Sequence, residues 1–241
     1  MITKQSSYFS SSLFPSDTIV SGFGTKALGD ARDLETIQNL LSSVHKSEMT
    51  IVIPKQTHST NVAVYVKDTN EKSSVIIPDC DAVVTREKQV LLTCITADCV
   101  PMIFVDQQAG VIGLSHQGWK GTLGRLPAKV IQTMCGQGAR VENIQVTYGP
   151  AINDCCYEIF GERLELFKQE FGDEIFRIAE GKHFLNLYRA NYQSLLKAGI
   201  LPQNIDLRIF CTACDEKRFY SYTTTNPLDG ENLTFIGINN V

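Results

Sequence analysis

The stretch TADCVPMIFVDQQAGVIGLSHQGWKGT, Thr96 to Thr122, decides how this chain is read. Most of it is apolar and strand-like, yet it carries a thiol at Cys99 and an imidazole at His116, each beside a turn signal. Pro101 holds Val100 extended and so fixes the direction in which the chain leaves Cys99. The chemistry sits at the ends of the strands.

Working outward, short runs rich in Val, Ile and aromatics predict strands at TIVSGF, TIVIPK, NVAVYVK, VLLTCITA, PMIFVD, GVIGLSH, NIQVTYG, DLRIF and TFIGI, each bounded by Gly, Pro, Asp or Asn. Apolar residues recurring at three and four predict helices at Leu34 to His45, Arg125 to Cys135, Gly161 to Phe171 and Leu187 to Ala198, the last stopped by Gly199. The strands and helices do not alternate regularly, which favours an α+β layered fold with mixed sheets over a doubly wound parallel sheet. No GxGxxG or GxxxxGK[ST] is present to argue the other way. The expectation is one domain over residues 1–241, with the polar first twelve residues fraying.

Net charge of −4, from 22 basic and 26 acidic residues without a long run of either sign, gives no reason to expect a nucleic-acid or anionic membrane partner. The start MITKQSSYFSSSLFP lacks the pattern of a signal peptide, and no segment has the roughly 18 apolar residues of a membrane helix. A cytoplasmic chain, a monomer or small homo-oligomer, is expected. In a reducing compartment its eight cysteines stay thiols, so metal binding or catalysis is the question they raise.

Only four histidines occur, and two close strand-like runs: His58 after TIVIPKQT and His116 after GVIGLS. Cys99 holds a third such position. Two imidazoles and a thiolate form a three-ligand zinc set that leaves the fourth tetrahedral position for substrate or water, the arrangement of catalytic sites. Other readings stand beside this one. Cys99 is a small buried hydrophobe in one; in another, Cys99 is a nucleophile with His116 as base and Asp98 or Asp81 as orienting group. Cys211 to Cys214, CTAC, looks like half a zinc ribbon or a redox pair, and the adjacent Cys155 and Cys156 are expected to have poor geometry for joining it. His45 reads as a favourable charge at a helix C-terminus, and His183 as a surface residue starting a strand.

Six blocks, PKQTHSTNV, DCDAVVT, TADCVPMIFVD, SHQGWKGT, GPAINDCCYEI and CTACDEKRFYSY, resemble in order and spacing the YfiH-like proteins, described both as laccase-domain polyphenol oxidases and as purine nucleoside phosphorylases. The resemblance covers roughly Pro54 to Tyr222. It implies a four-layer α/β sandwich, a zinc ion (alternatively copper) on His58, Cys99 and His116, and phosphorolysis of adenosine, inosine, guanosine or methylthioadenosine, with adenosine deamination in some members. The alternatives it carries are a Cys-His hydrolase or deamidase, since a toxin deamidase shares the fold, and a copper-dependent polyphenol oxidase. Four histidines without an HxH pair are too few for a multicopper plan. Asp98 and Asp81 are the expected acids; Lys120, Cys156 and Lys26 are the expected substrate contacts; Phe219, Tyr220 and Tyr222 are candidates to stack on a purine. The chain departs from the family at Lys26 and Lys120, where the family carries arginine, and at FYSYTTT, where it carries FFSYRR. Lysine does not replace a planar fork on phosphate, so the departures bear on the phosphate site and leave the metal set unchanged.

Overall fold

The computed structural model describes residues 7–14, 18–44, 46, 48–68, 73–224 and 229–239. Its strands are β1 Tyr8–Phe9, β2 Ile19–Gly24, β3 Thr50–Pro54, β4 Val62–Tyr65, β5 Ser74–Ile77, β6 Ala82–Thr85, β7 Val90–Thr96, β8 Val100–Asp106, β9 Val111–Gln117, β10 Gln145–Tyr148, β11 Glu158–Ile159, β12 Phe176–Ala179, β13 Lys182–Leu185, β14 Ile205–Asp206 and β15 Asn232–Ile238. The α-helices are α1 Leu34–Ser43, α2 Trp119–Leu123, α3 Leu126–Gly136, α4 Gly161–Phe171 and α5 Leu187–Lys197.

Two six-stranded mixed sheets, ordered β1-β2-β15-β7-β3-β5 and β14-β10-β8-β9-β6-β4, lie face to face, and a small third sheet is ordered β11-β13-β12. Successive side chains of a strand point to opposite faces, and here both faces are buried. In the first sheet Ile51, Leu91 and Phe235 pack on Ile37, Leu40 and Leu41 of α1, while their neighbours Val52, Leu92 and Ile236 turn to the second sheet. There they meet Val83, Ile103 and Ile112; the next residues, Val84 and Phe104, face Val130 of α3, Phe167 of α4 and Tyr188 of α5. The layers are therefore helix, sheet, sheet, helices, the four-layer α+β arrangement expected. Double burial explains why the strands read as continuous apolar runs.

Several boundaries differ from expectation. Residues 7–12 do not fray: Tyr8 and Phe9 pair with Gly24 and Phe23, and Phe9 packs on Phe210 and Phe219. The strand expected at DLRIF stops at Asp206, where Arg208 turns back to ion-pair with Asp206 and Phe210 leaves the sheet for Phe9. β5, β6, β11 and β12 were not expected, β13 is the strand read as starting at His183, and α2 forms where a turn was read. His45 lies outside the described residues.

Candidate active site

Register brings the ligands together. Ala82 opposite Ser115 sets Asp81 beside His116, whose N–H donates to the Asp81 carbonyl at 2.8 Å, and Val100 opposite Gln117 sets Cys99 next to Gly118. His58 follows β3 in a left-handed conformation, φ 57°. One ligand atom each of His58, Cys99 and His116 lies within 4.8 Å of the others; Cys99 Sγ is 4.0 Å from His58 Nε2, and the two imidazoles meet edge to face at 4.8 Å. Gly118 makes the approach possible: a Cβ there would stand 2.8 Å from His58 Cδ2 and 3.3 Å from Cys99 Sγ.

Asp81 is the centre of this arrangement. Its buried carboxylate accepts from His116 Nδ1 at 2.8 Å and His58 N–H at 3.0 Å on Oδ1, and from Thr57 N–H at 3.2 Å, Ser59 N–H at 2.6 Å and Ser59 Oγ at 2.7 Å on Oδ2. Burial alone raises its pKa, but the hydrogen bonds from His116 and Ser59 outweigh it and hold the carboxyl well below the usual range. With Nδ1–H directed at Asp81, His116 presents Nε2 to Cys99 and His58. Asp81, expected as a catalytic acid, is held as an anion that orients the His116 ring and binds the backbone of His58.

Asp98, at φ 88°, is committed in the same way. Oδ1 accepts from Thr212 Oγ1 at 2.5 Å, and Oδ2 from the N–H and Oγ1 of Thr223, both at 2.8 Å. It pins the C-terminal loop to the cavity wall. Cys99 and His116 form a charge pair: burial opposes ionisation of both, but the neighbouring imidazolium brings Cys99 down to about 7, and the thiolate with Asp81 raises His116 to about 10.

The triad opens on a cavity of about 830 Å³, within the roughly 300–1,000 Å³ usual for small-molecule sites. Trp119, Tyr157 and Tyr222 supply aromatic walls, and Arg163, Lys55 and Glu231 supply charge. The Arg163 guanidinium lies 4.3 Å over the Trp119 ring and donates to Tyr157 Oη at 3.4 Å. Burial pushes the Glu231 carboxyl up, against the opposing pull of Arg32. Arg163 and Glu231 were missed in the sequence: one is a polar position of an amphipathic helix, the other a lone acid before a strand.

The three residues expected to contact substrate lie outside this lining. Lys120 is exposed over the Trp119 ring, Lys26 sits over Tyr220 at 5.0 Å, and Cys156 joins a separate cluster with Cys155, Cys211 and Cys214. That cluster also corrects the geometry expected of the adjacent cysteines, because the turn carrying them folds against CTAC. Of the aromatic candidates, Phe219 is core and only Tyr222 lines the cavity. His183, in β13, stands edge-on to Phe176.

The family model described as multi-copper polyphenol oxidoreductase laccase matches residues 23–239. The chain belongs to this family. Among curated relatives of this laccase-domain family, adenosine deaminase RL5 from an unknown prokaryotic organism is 38% identical over 197 residues, 78% of this chain and 74% of the relative. Purine nucleoside phosphorylase YlmD of Geobacillus stearothermophilus is 34% identical over 168 residues, 67% of this chain and 61% of the relative, so the sequence match spans less than two thirds of that protein. The crystal structure of YlmD superposes with a TM-score of 0.85 at 27% identity, covering 99% of this chain and 98% of that one. No helix of the described residues is long and apolar enough to cross a membrane.

Proposed function

We propose that this chain is a zinc-dependent purine nucleoside phosphorylase, acting on adenosine, inosine, guanosine or methylthioadenosine, with adenosine deamination as a side activity. The observation that carries the reading is the opening of two imidazoles and a thiolate onto one cavity that also holds an anchored arginine and aromatic walls. The relatives named above supply the purine class.

The residues fit a metal ion: His116 is fixed in the tautomer that frees Nε2, Cys99 ionises near neutrality, and Gly118 leaves the space between donors clear. When bound there, zinc supplies a Lewis-acid charge for a reacting oxygen. In phosphorolysis a phosphate oxygen forms a bond to the sugar's anomeric carbon while the bond to the purine nitrogen breaks, and the purine leaves with the electron pair. Arg163, held over the Trp119 ring, offers its remaining N–H groups to phosphate and takes over the role of the family's missing arginines. Glu231, kept protonated more readily by burial, is placed to give a proton to the departing base. Trp119, Tyr157 and Tyr222 hold the purine plane and exclude water.

A second reading draws on the Cys99–His116 charge pair, which is also that of a thiolate nucleophile beside its acid, as in a hydrolase or deamidase. The oxidase in the family's description needs several coppers, and the donor set here is two imidazoles and one thiolate, with His183 elsewhere.

The test is chromatography of products from zinc-loaded protein with adenosine, and in turn with inosine, guanosine and methylthioadenosine, each with and without phosphate. Adenine and a sugar phosphate formed only with phosphate support the main activity, and inosine with ammonia supports the deamination. All four nucleosides recovered intact under both conditions would refute the assignment.

A further inference from the structure

Away from the cavity, four cysteines meet across two turns. Cys155 and Cys156 lie between β10 and β11, and Cys211 and Cys214 lie beyond β14. Backbone bonds lock the turns edge to edge: Ala151 N–H donates to the Phe210 carbonyl at 3.2 Å, Thr212 N–H to the Ala151 carbonyl at 3.0 Å, and Cys156 N–H to the Asn153 carbonyl at 2.9 Å. All four sulfurs lie within 4.8 Å of one another, and Cys214 Sγ is 3.3 Å from both Cys155 Sγ and Cys156 Sγ.

These distances select among the things four thiols do. A disulfide requires sulfurs about 2.05 Å apart, and one cysteine here stands at equal distance from two partners. A tetrahedral ion with metal–sulfur bonds of about 2.3 Å separates its sulfurs by about 3.8 Å, between the 3.3 Å of the nearest pairs and the 4.8 Å limit of the set. From this geometry we infer that Cys155, Cys156, Cys211 and Cys214 form a second, purely structural site for a single soft divalent ion of the zinc class. Four thiolates close the coordination sphere and leave no place for substrate.

Arg177 supports the charge balance, since four thiolates on a divalent ion leave a net −2. Its guanidinium donates to the carbonyls of Asp154 at 2.7 Å and Cys155 at 3.4 Å, beside the cluster. The ion's place in the fold gives it a purpose. It ties the turn that precedes Tyr157, a cavity wall, to the turn whose Thr212 holds Asp98 next to Cys99. The site uses no residue of the nucleoside cavity's ligand set, so its fate is separable from the proposed activity.

The experiment starts from the His58→Ala/Cys99→Ala chain, which lacks the first ligand set. Its metal content by plasma mass spectrometry is expected to be one zinc per chain, falling to none when Cys211→Ser/Cys214→Ser is added, with a lower melting temperature. No metal in the first variant, with four free thiols or an intact mass about 2 Da lower from a disulfide, would overturn the site, as would zinc retained after the second pair is replaced. Because the substituted chains could lose their fold, cobalt is also loaded into the unsubstituted protein. Strong sulfur-to-cobalt charge transfer of a four-thiolate centre, beyond the single thiolate that Cys99 supplies, is the expected result; absorption accounted for by one thiolate overturns the proposal.

Discussion

Replacing Asp81 with asparagine keeps the shape of the side chain and removes one acceptor oxygen and the charge. The amide has one carbonyl for five donors, and it serves best at the Oδ2 position, where Thr57 N–H, Ser59 N–H and Ser59 Oγ converge. Its NH₂ then faces His58 N–H and His116 Nδ1. The His58 N–H is left without an acceptor, a loss of about 1–3 kcal/mol, and the three remaining bonds become neutral ones of about half the strength. Set against the smaller desolvation of an amide, the change is expected to cost about 2–5 kcal/mol of stability in the metal-stripped protein, measured by denaturant titration. His116 answers by moving its proton to Nε2, the nitrogen that faces Cys99, so zinc affinity read by competition with a chromogenic chelator should fall about 10–100-fold. Affinity within about twofold of the parent, or stability within the ±0.5 kcal/mol of an ordinary surface substitution, would refute the role given to Asp81.

Other outcomes follow from the same geometry. Gly118→Ala, at a backbone conformation that alanine adopts freely, should leave the fold's circular dichroism unchanged while zinc occupancy drops, because its Cβ meets His58 and Cys99; full occupancy would show that the ligands have more room than described. In metal-stripped protein the alkylation rate of Cys99 should rise with pH through about 7, since the thiolate is the reactive form and its pKa lies below the ordinary value of 9.0. His116→Ala should move that midpoint upward, and an unmoved midpoint would remove the imidazolium as its cause. Arg163→Leu should raise the KM for phosphate at least tenfold and change the KM for nucleoside much less, and equal effects on both would displace Arg163 from the phosphate site.

The ligand triad was legible because each member closes a strand-like run, and strand ends on neighbouring strands meet. What register did with them was not: Asp81 stands opposite His116 through pairing between β6 and β9, and β6 was not foreseen as a strand. For the same reason the sequence showed Asp81 and Asp98 as acids but not the hydrogen-bond donors that gather on each, since the spacing of a carboxylate shows nothing of its donors. The two central sheets announced themselves through doubly buried apolar runs. Of the small sheet only the strand at His183 was read, because Arg177, Ile178 and Lys182 mix charge with exposed apolar residues and satisfy neither period. Lys26 and Lys120 were picked out as substitutes at the family's arginine positions, yet the cavity draws its cations from Lys55, in the PKQTHSTNV block but not singled out there, and from Arg163, outside the six blocks. The four-cysteine cluster was raised and set aside in the sequence because Cys155 and Cys214 are 59 residues apart, and the bridge of Ala151 to Cys211 that aligns their turns has no sequence signal.

The most direct test measures zinc content and nucleoside turnover in the same preparations of the parent chain and of His58→Ala, Cys99→Ala and His116→Ala. Each substitution is expected to remove one zinc per chain and to abolish phosphate-dependent release of the purine. Turnover that survives after that zinc is gone, or a zinc content equal to the parent's in any of the three variants, would contradict a catalytic metal held by this triad.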